Sequence, residues 1–327
     1  VVNYKNQIML KKWKFRVTLI SVAAIFVLGC QSKTALTPGE GFVTVSGGKV
    51  WYKILGEGTE TPLVLLHGGP GFPSYYLNPL AELSDERPII FLDQFGCGRS
   101  DDNKDTSLMN VETFVEQLKQ FTDSLGLQEF HLYGHSWGTM LGMDYYLQHP
   151  EKVKSLIFAS PCLSIPRWEA DCKELIKSLP DSVQVAIETN EKSGNYESAE
   201  YQNAMNIFYQ NYVAQKLPWD ASIDSTFAGA NMDIYNYMWG PSEFTPTGTL
   251  QNYDRTEQLK EIKVPSMYIC GEFDEARPST VKYYQSLTPN SKFVVIEDAA
   301  HISMHDNPEQ NNLEINNFLK EIEGNKN

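Results

Sequence analysis

The sequence predicts an α/β architecture: a mostly parallel central sheet with helices on both faces and an inserted helical cap. Three observations carry this. Apolar runs of strand length alternate with segments of helical periodicity through most of the chain. The pentapeptide Gly134-His135-Ser136-Trp137-Gly138 sits between a β-like run and a helical one. The alternation breaks between residues 162 and 246, where a polar, helix-rich stretch dense in aromatics intervenes, and the strand pattern resumes at Val264.

The elements follow in order. Gly41–Val45 and Lys49–Leu55 read as a hairpin around Gly47-Gly48. Leu63–Leu66, Ile89–Asp93, Phe130–Tyr133 and Val153–Ala159 read as buried strands. Between them, Val111, Phe114, Val115, Leu118, Phe121 and Leu125 recur at helical spacing and predict a helix over 111–125. Met140–His149 predicts a second helix, stopped by Pro150. After the insertion come the strands Val264–Gly271 and Lys292–Ile296. Sheets of this type place reactive groups at the carboxyl ends of their strands.

The pentapeptide has the Gly-x-Ser-x-Gly spacing of a nucleophile elbow. A serine at a tight strand-to-helix turn has its hydroxyl pushed into the open, and glycines on either side let neighbouring backbone approach. Trp137 offers a backbone N–H at a helix N-terminus, suited to a developing oxyanion. His67-Gly68-Gly69-Pro70-Gly71 follows an early strand and supplies a glycine-rich turn, with Gly69 as candidate second oxyanion donor. The acid and base are expected after the serine, in that order. Asp274 follows the strand ending at Gly271, and His301 follows the strand ending at Ile296. Ser136, Asp274 and His301 are therefore the candidate triad. The other histidines fit less well. His67 lies in the oxyanion loop, His131 within a strand, His149 at a helix end and His305 beyond the loop. His135 adjoins the nucleophile, but its side chain is expected to point away.

These segments, together with Asp93-Gln94-Phe95-Gly96-Cys97-Gly98-Arg99-Ser100, Ser242-Glu243-Phe244-Thr245-Pro246-Thr247-Gly248 and Gly271-Glu272-Phe273-Asp274-Glu275, resemble the proline iminopeptidases of the α/β-hydrolase superfamily, most closely the tricorn-interacting type of aminopeptidase. The resemblance covers roughly residues 40–322. It implies an α/β-hydrolase fold and a serine aminopeptidase that releases N-terminal residues, proline among them, from short peptides through an acyl-enzyme, with no metal or organic cofactor. It also implies that Glu243 and Glu275 hold the substrate's free amino terminus. Ser242 stands where the family usually has Asn, and Phe95 where Arg is common. The same triad serves amino-acid amidases, esterases and lactonases, and a non-catalytic binding protein on this scaffold is the alternative from another class. The cap aromatics Phe208, Tyr209, Tyr212, Trp219, Tyr235, Tyr237 and Trp239 are candidates both for the cap's own core and for a pocket wall.

The expected organisation is a lipoprotein-type signal peptide over 1–29, a tether over 30–39, a hydrolase core over 40–161 and 247–327, and the cap over 162–246. A basic start, Met9 to Arg16, precedes the apolar run Val17–Leu28, which is short for a membrane span. Val27-Leu28-Gly29-Cys30 resembles a bacterial lipoprotein cleavage box, so Cys30 is the expected lipidation site. The expected location is the bacterial cell envelope, lipid-anchored, on the periplasmic or outer face. Residues 1–29 hold five basic and no acidic groups, so their removal takes the formal charge from −14 to −19. Such a chain repels nucleic acid, and no basic patch argues otherwise. Of the remaining cysteines, Cys162 and Cys172 are close enough in sequence to bridge in an oxidising compartment, whereas Cys97 and Cys270 read as buried thiols. None has the paired spacing of a zinc site.

Overall fold

The computed structural model describes residues 36–324 apart from Asn103. The expected signal segment and Cys30 lie outside those residues. Eight strands form one sheet: β1 (Gly39–Val45), β2 (Gly48–Leu55), β3 (Leu63–Leu66), β4 (Ile89–Leu92), β5 (Phe130–His135), β6 (Val153–Ala159), β7 (Ser266–Gly271) and β8 (Ser291–Ile296). Their order is β1-β2-β4-β3-β5-β6-β7-β8. The hairpin β1–β2 and its junction with β4 are antiparallel; every other pairing is parallel. This is the α/β-hydrolase arrangement that the motifs imply.

Strand β3 shows how the sequence builds two layers. Successive side chains on a strand face opposite ways. Leu63 and Leu65 enter one apolar cluster, with Leu77 and Leu80 of a 3-10 helix (Ser74–Asp85) and Ile315 and Leu319 of the last helix. Val64 and Leu66 enter the other, with Phe114, Leu118 and Phe121 of α1 (Val111–Ser124) and Leu141 of α2 (Trp137–Gln148). Because both faces are covered, the central strands read as continuous apolar runs rather than as alternating ones. Helix α1 starts where the Asn110 side chain accepts from the Thr113 N–H. Helix α2 begins at Trp137, earlier than its apolar pattern suggests, since the elbow itself opens the helix.

Between β6 and β7 lie five helices: α3 (Ile165–Ile176), α4 (Asp181–Ser193), α5 (Ala199–Tyr212), α6 (Ala221–Ala228) and α7 (Met232–Met238). Helices α4 and α5 have a small core of their own, made by Val183, Ala186, Ile187, Ala204 and Phe208. The chain then closes with α8 (Pro278–Leu287), α9 (Ser303–Asp306) and α10 (Pro308–Ile322). Cys97, Cys162, Cys172 and Cys270 are all buried free thiols, so Cys162 and Cys172 stand unbridged.

At the end of the sheet away from the strand C-termini, α10 is pinned by a buried charge cluster. Glu323 accepts from Arg87 Nη1 at 2.8 Å and meets His131 Nε2 at 3.2 Å. Burial alone would raise the Glu323 carboxyl, but hydrogen bonds from His131 and Arg87 outweigh it and bring it from an ordinary 4.5 to about 2. A carboxyl depressed by folding stabilises the fold above its unfolded value, and that contribution is lost as pH falls through the folded one. Glu323→Gln, which leaves the Arg87 guanidinium buried without its counter-charge, is expected to cost about 3 kcal/mol at pH 7. Urea unfolding at a series of pH values checks this: the gap between variant and wild type should shrink from pH 4.5 down to pH 2.

Candidate active site

The elbow is shaped by lack of space. Ser136 sits between β5 and α2 with φ 54° and ψ −123°, a strained region for a residue with a side chain. A Cβ on Gly134 would lie 2.3 Å from the Gly138 carbonyl oxygen, and one on Gly138 would lie 2.3 Å from the Leu66 carbonyl oxygen. The two glycines therefore let α2 leave β5 while touching the end of β3. Ser136 stays half-buried, its N–H donating to the Ala159 carbonyl of the adjacent strand.

The glycine-rich loop after β3, the candidate oxyanion loop, is held from beneath. The Gln94 N–H donates to His67 Nε2 at 2.8 Å, which leaves the proton on Nδ1; that nitrogen donates to the Gly68 carbonyl at 3.0 Å. Burial pushes His67 below the ordinary histidine range and keeps it neutral for this role. With the Gly68 carbonyl turned to His67, the N–H of Gly69 on the same peptide plane points the opposite way. Gly69 and Ser136 both line the main cavity, and a Cβ on Gly68 would stand 3.1 Å from that of Ser136. The N–H of Trp137, at the first position of α2, has no partner within its own helix. The indole of Trp137 is buried and donates to Gln94 Oε1 at 2.9 Å, so it belongs to the scaffold while its backbone faces the site.

The Asp93–Ser100 segment anchors Gln94. Asp93 is fully buried and accepts from the Ser74 N–H and hydroxyl and from the N–H and guanidinium of Arg99. Burial would raise its carboxyl, but the bonds from Arg99 and Ser74 prevail and hold it below the ordinary range. The Arg99 guanidinium lies 3.2 Å from the Trp51 ring centroid. Phe95 packs into the sheet core against the hairpin turn, off the wall of the main cavity.

His301 Nδ1 is 2.8 Å from Asp274 Oδ1. Asp274 is buried and further fixed by the N–H groups of Gly271 and Ala276. The His301 ring contacts Trp168 and His135 edge-on, with centroids 5.9 and 4.7 Å away. Ser136 and His301 open into the same cavity of about 330 Å³. His135 does turn from the serine hydroxyl, toward Tyr76 and the His301 main chain.

The cap forms the cavity's far wall. Of the seven cap aromatics singled out in the sequence, Tyr209, Tyr235 and Trp239 line it. Phe208 belongs to the cap core with Tyr212 and Phe244 packed on it, Trp219 stacks on Phe227, and Tyr237 faces outward. Phe72, Tyr76 and Phe227 also line the cavity, and sequence spacing alone did not single them out. For Phe72 the signal was position, since it directly follows the glycine-rich turn.

Glu243 and Glu275 meet in this cavity. Glu243 is half-buried and accepts from the Tyr235 hydroxyl at 3.1 Å. Glu275 is only 3 % exposed; its Oε1 lies 3.5 Å from His301 Nε2, and its Oε2 accepts no hydrogen bond among the described residues. Burial raises both carboxyls, and for Glu275 the neighbouring Glu243 and Asp274 charges push it well above the ordinary range.

A serine on an elbow, a histidine backed by a buried carboxylate and N–H groups around one cavity define a serine hydrolase of the α/β-hydrolase class. A family profile described as the alpha/beta hydrolase fold matches residues 61–308. A proline iminopeptidase from Heyndrickxia coagulans is 48% identical over 86% of this chain and 99% of its own length. One from Saccharolobus solfataricus is 33% identical over 86% and 93%. Among solved structures, VinJ superposes with a TM-score of 0.84 at 30% identity, covering 88% of this chain and all of its own. A Mycobacterium smegmatis proline iminopeptidase gives 0.81 at 28% identity, covering 87% and 98%. The chain belongs to the proline iminopeptidase family.

The elbow's packing is directly testable. Gly138→Ala puts a methyl group into the Leu66 carbonyl and is expected to cost about 3 kcal/mol of stability by overpacking. Thermal unfolding should show that loss, and covalent labelling of the serine by a fluorophosphonate should fall with it.

Proposed function

We propose that this serine hydrolase removes N-terminal residues, proline among them, from short peptides. The single observation that carries the free-amine requirement is the Glu275 carboxylate beside Glu243: buried, lacking a donor at Oε2 among the described residues, and bordering the same cavity as Ser136. A carboxylate in such a place favours a cation. A charge pair about 4 Å apart is worth on the order of 4 kcal/mol at an effective dielectric of 20. An acylated amine would leave both glutamates without counter-charge, so the pair also rejects blocked substrates. The names of the family relatives support proline as a first residue.

In the proposed cycle the substrate's ammonium rests against Glu243 and Glu275, and its first side chain lies among the aromatics of the wall. His301, oriented by Asp274, takes the proton of Ser136 as the hydroxyl attacks the first carbonyl. The N–H groups of Gly69 and Trp137 receive the oxyanion. His301 then protonates the leaving amine, and a water molecule, activated by the same histidine, releases the amino acid from the acyl-enzyme. Ser136→Ala is expected to lower turnover on the order of 10⁴-fold or more while the protein stays folded.

The decisive experiment is hydrolysis of prolyl and other aminoacyl anilides, each with a free and an N-acetylated amine. Free-amine forms should be cleaved and blocked forms should not; equal cleavage of both overturns the aminopeptidase reading. Glu275→Gln should raise KM for the free-amine forms about 10- to 100-fold, or roughly 1.4–2.8 kcal/mol. Because both carboxyls are raised, protonation strips the site of charge at a higher pH than for ordinary glutamates. KM should therefore climb as pH falls, starting above 4.5.

We further propose that the mature chain starts at a lipidated Cys30 and is held at the bacterial cell envelope. The basic start, the apolar run and Val27-Leu28-Gly29-Cys30 support this reading. Cys30→Ala should shift the protein out of the membrane fraction; unchanged partitioning would count against lipidation.

A further inference from the structure

Beneath Ser136 runs a chain of buried hydrogen bonds that the proposed cycle does not use. The Gly68 N–H donates to the Tyr76 hydroxyl at 2.7 Å. That hydroxyl is 2.8 Å from His135 Nδ1, and His135 Nε2 is 2.9 Å from the His301 carbonyl. Tyr76 is 4 % and His135 2 % exposed. The roles of every atom follow from the two ends. A carbonyl only accepts, so His135 carries its proton on Nε2. Burial, followed by the nearby His301, pushes His135 well below the ordinary histidine range, so the ring is neutral and Nδ1 accepts. Tyr76 therefore donates to Nδ1 and accepts from Gly68, with its phenol held protonated by burial.

The chain joins two loops that have no covalent reason to stay in register. Gly68 precedes the oxyanion donor Gly69 on one side of the elbow. His301 stands on the other, and its carbonyl also accepts from Ser160 Oγ at 2.8 Å. We propose that Tyr76 and His135 are positioning residues: a strap from the Gly68 N–H to the His301 carbonyl that holds oxyanion loop and general base at fixed positions about Ser136. His135 is part of the elbow itself, so the strap ties both loops to the residue next to the nucleophile. A directional, fully satisfied buried chain fixes geometry more tightly than packing does. Displacements on the order of 1 Å at a reacting centre can cost about 10²-fold in rate.

The inference rests on the Ser136–His301–Asp274 reading, and the two can fail separately. Turnover surviving Ser136→Ala would remove that reading, whereas the strap can fail while turnover still depends on Ser136. Tyr76→Phe keeps the ring and removes both bonds. It is expected to lower kcat for prolyl anilide about 10- to 100-fold with KM within about twofold of wild type. His135→Leu should do the same, while His135→Gln, which has a donor and an acceptor at similar spacing, should recover most of the rate. Nitrogen-resolved NMR of the wild-type protein should show His135 as the neutral Nε2–H tautomer, a reading that needs no variant to fold. An Nδ1–H tautomer, an unchanged kcat in Tyr76→Phe, or an equal loss in His135→Gln and His135→Leu would overturn the strap.

Discussion

The contact on which the site depends is the approach of α2 to the end of β3, where Gly138 lies so close to the Leu66 carbonyl that no side chain fits. That contact sets the angle at which the chain leaves β5. It holds Ser136 at a positive φ and brings the first N–H groups of α2 beside the loop that follows β3. The proposed nucleophile and its two proposed oxyanion donors thereby come from the ends of two neighbouring parallel strands. The strain at Ser136 persists because the bonds on either side over-determine it.

Within the apolar core around the elbow, a few polar side chains are bound to one another. His67, Gln94, Trp137, Asp93 and Arg99 form one connected set, from the loop after β3 to a guanidinium stacked on Trp51. Among the described residues, two buried oxygens near the elbow lack a hydrogen-bond partner, the Tyr133 hydroxyl and Glu275 Oε2, and only Glu275 borders the cavity. A partly satisfied buried group is costly to keep, and the proposed substrate ammonium would relieve that cost at Glu275.

Much of this was legible in the sequence because it is local. Strand runs such as Leu63–Leu66 and the heptad-like recurrence in Val111–Ser124 are set by near neighbours along the chain, and the elbow's glycines mark themselves by their spacing. Asp274 and His301 followed from their order after strands; the structure adds their 2.8 Å contact. What was not legible is pairing at long range. Nothing near Glu323 names Arg87 or His131 as its partners. Likewise the direction of the His135 side chain depends on Tyr76, 59 residues away. The cap aromatics divided between core and cavity for the same reason: helical spacing gives the face a residue occupies, but not what that face meets.

One junction bears on how this architecture diversifies. The last carbonyl of α5, that of Tyr212, accepts from the N–H groups of both Glu275 and His301, and the next carbonyl, that of Val213, accepts from Ile302. Asp306 receives the following N–H groups of Gln215 and Lys216, and also that of Ala300. The insertion is thus spliced into the loops after β7 and β8 by main-chain bonds to Glu275, His301 and Ile302, with the Asp306 carboxylate as the one side chain in the junction. Helices α3 and α7 are themselves packed into the sheet core, so residues 212–216 form a second tie, a graft point at which any transplanted cap would have to meet Glu275, His301 and Ile302.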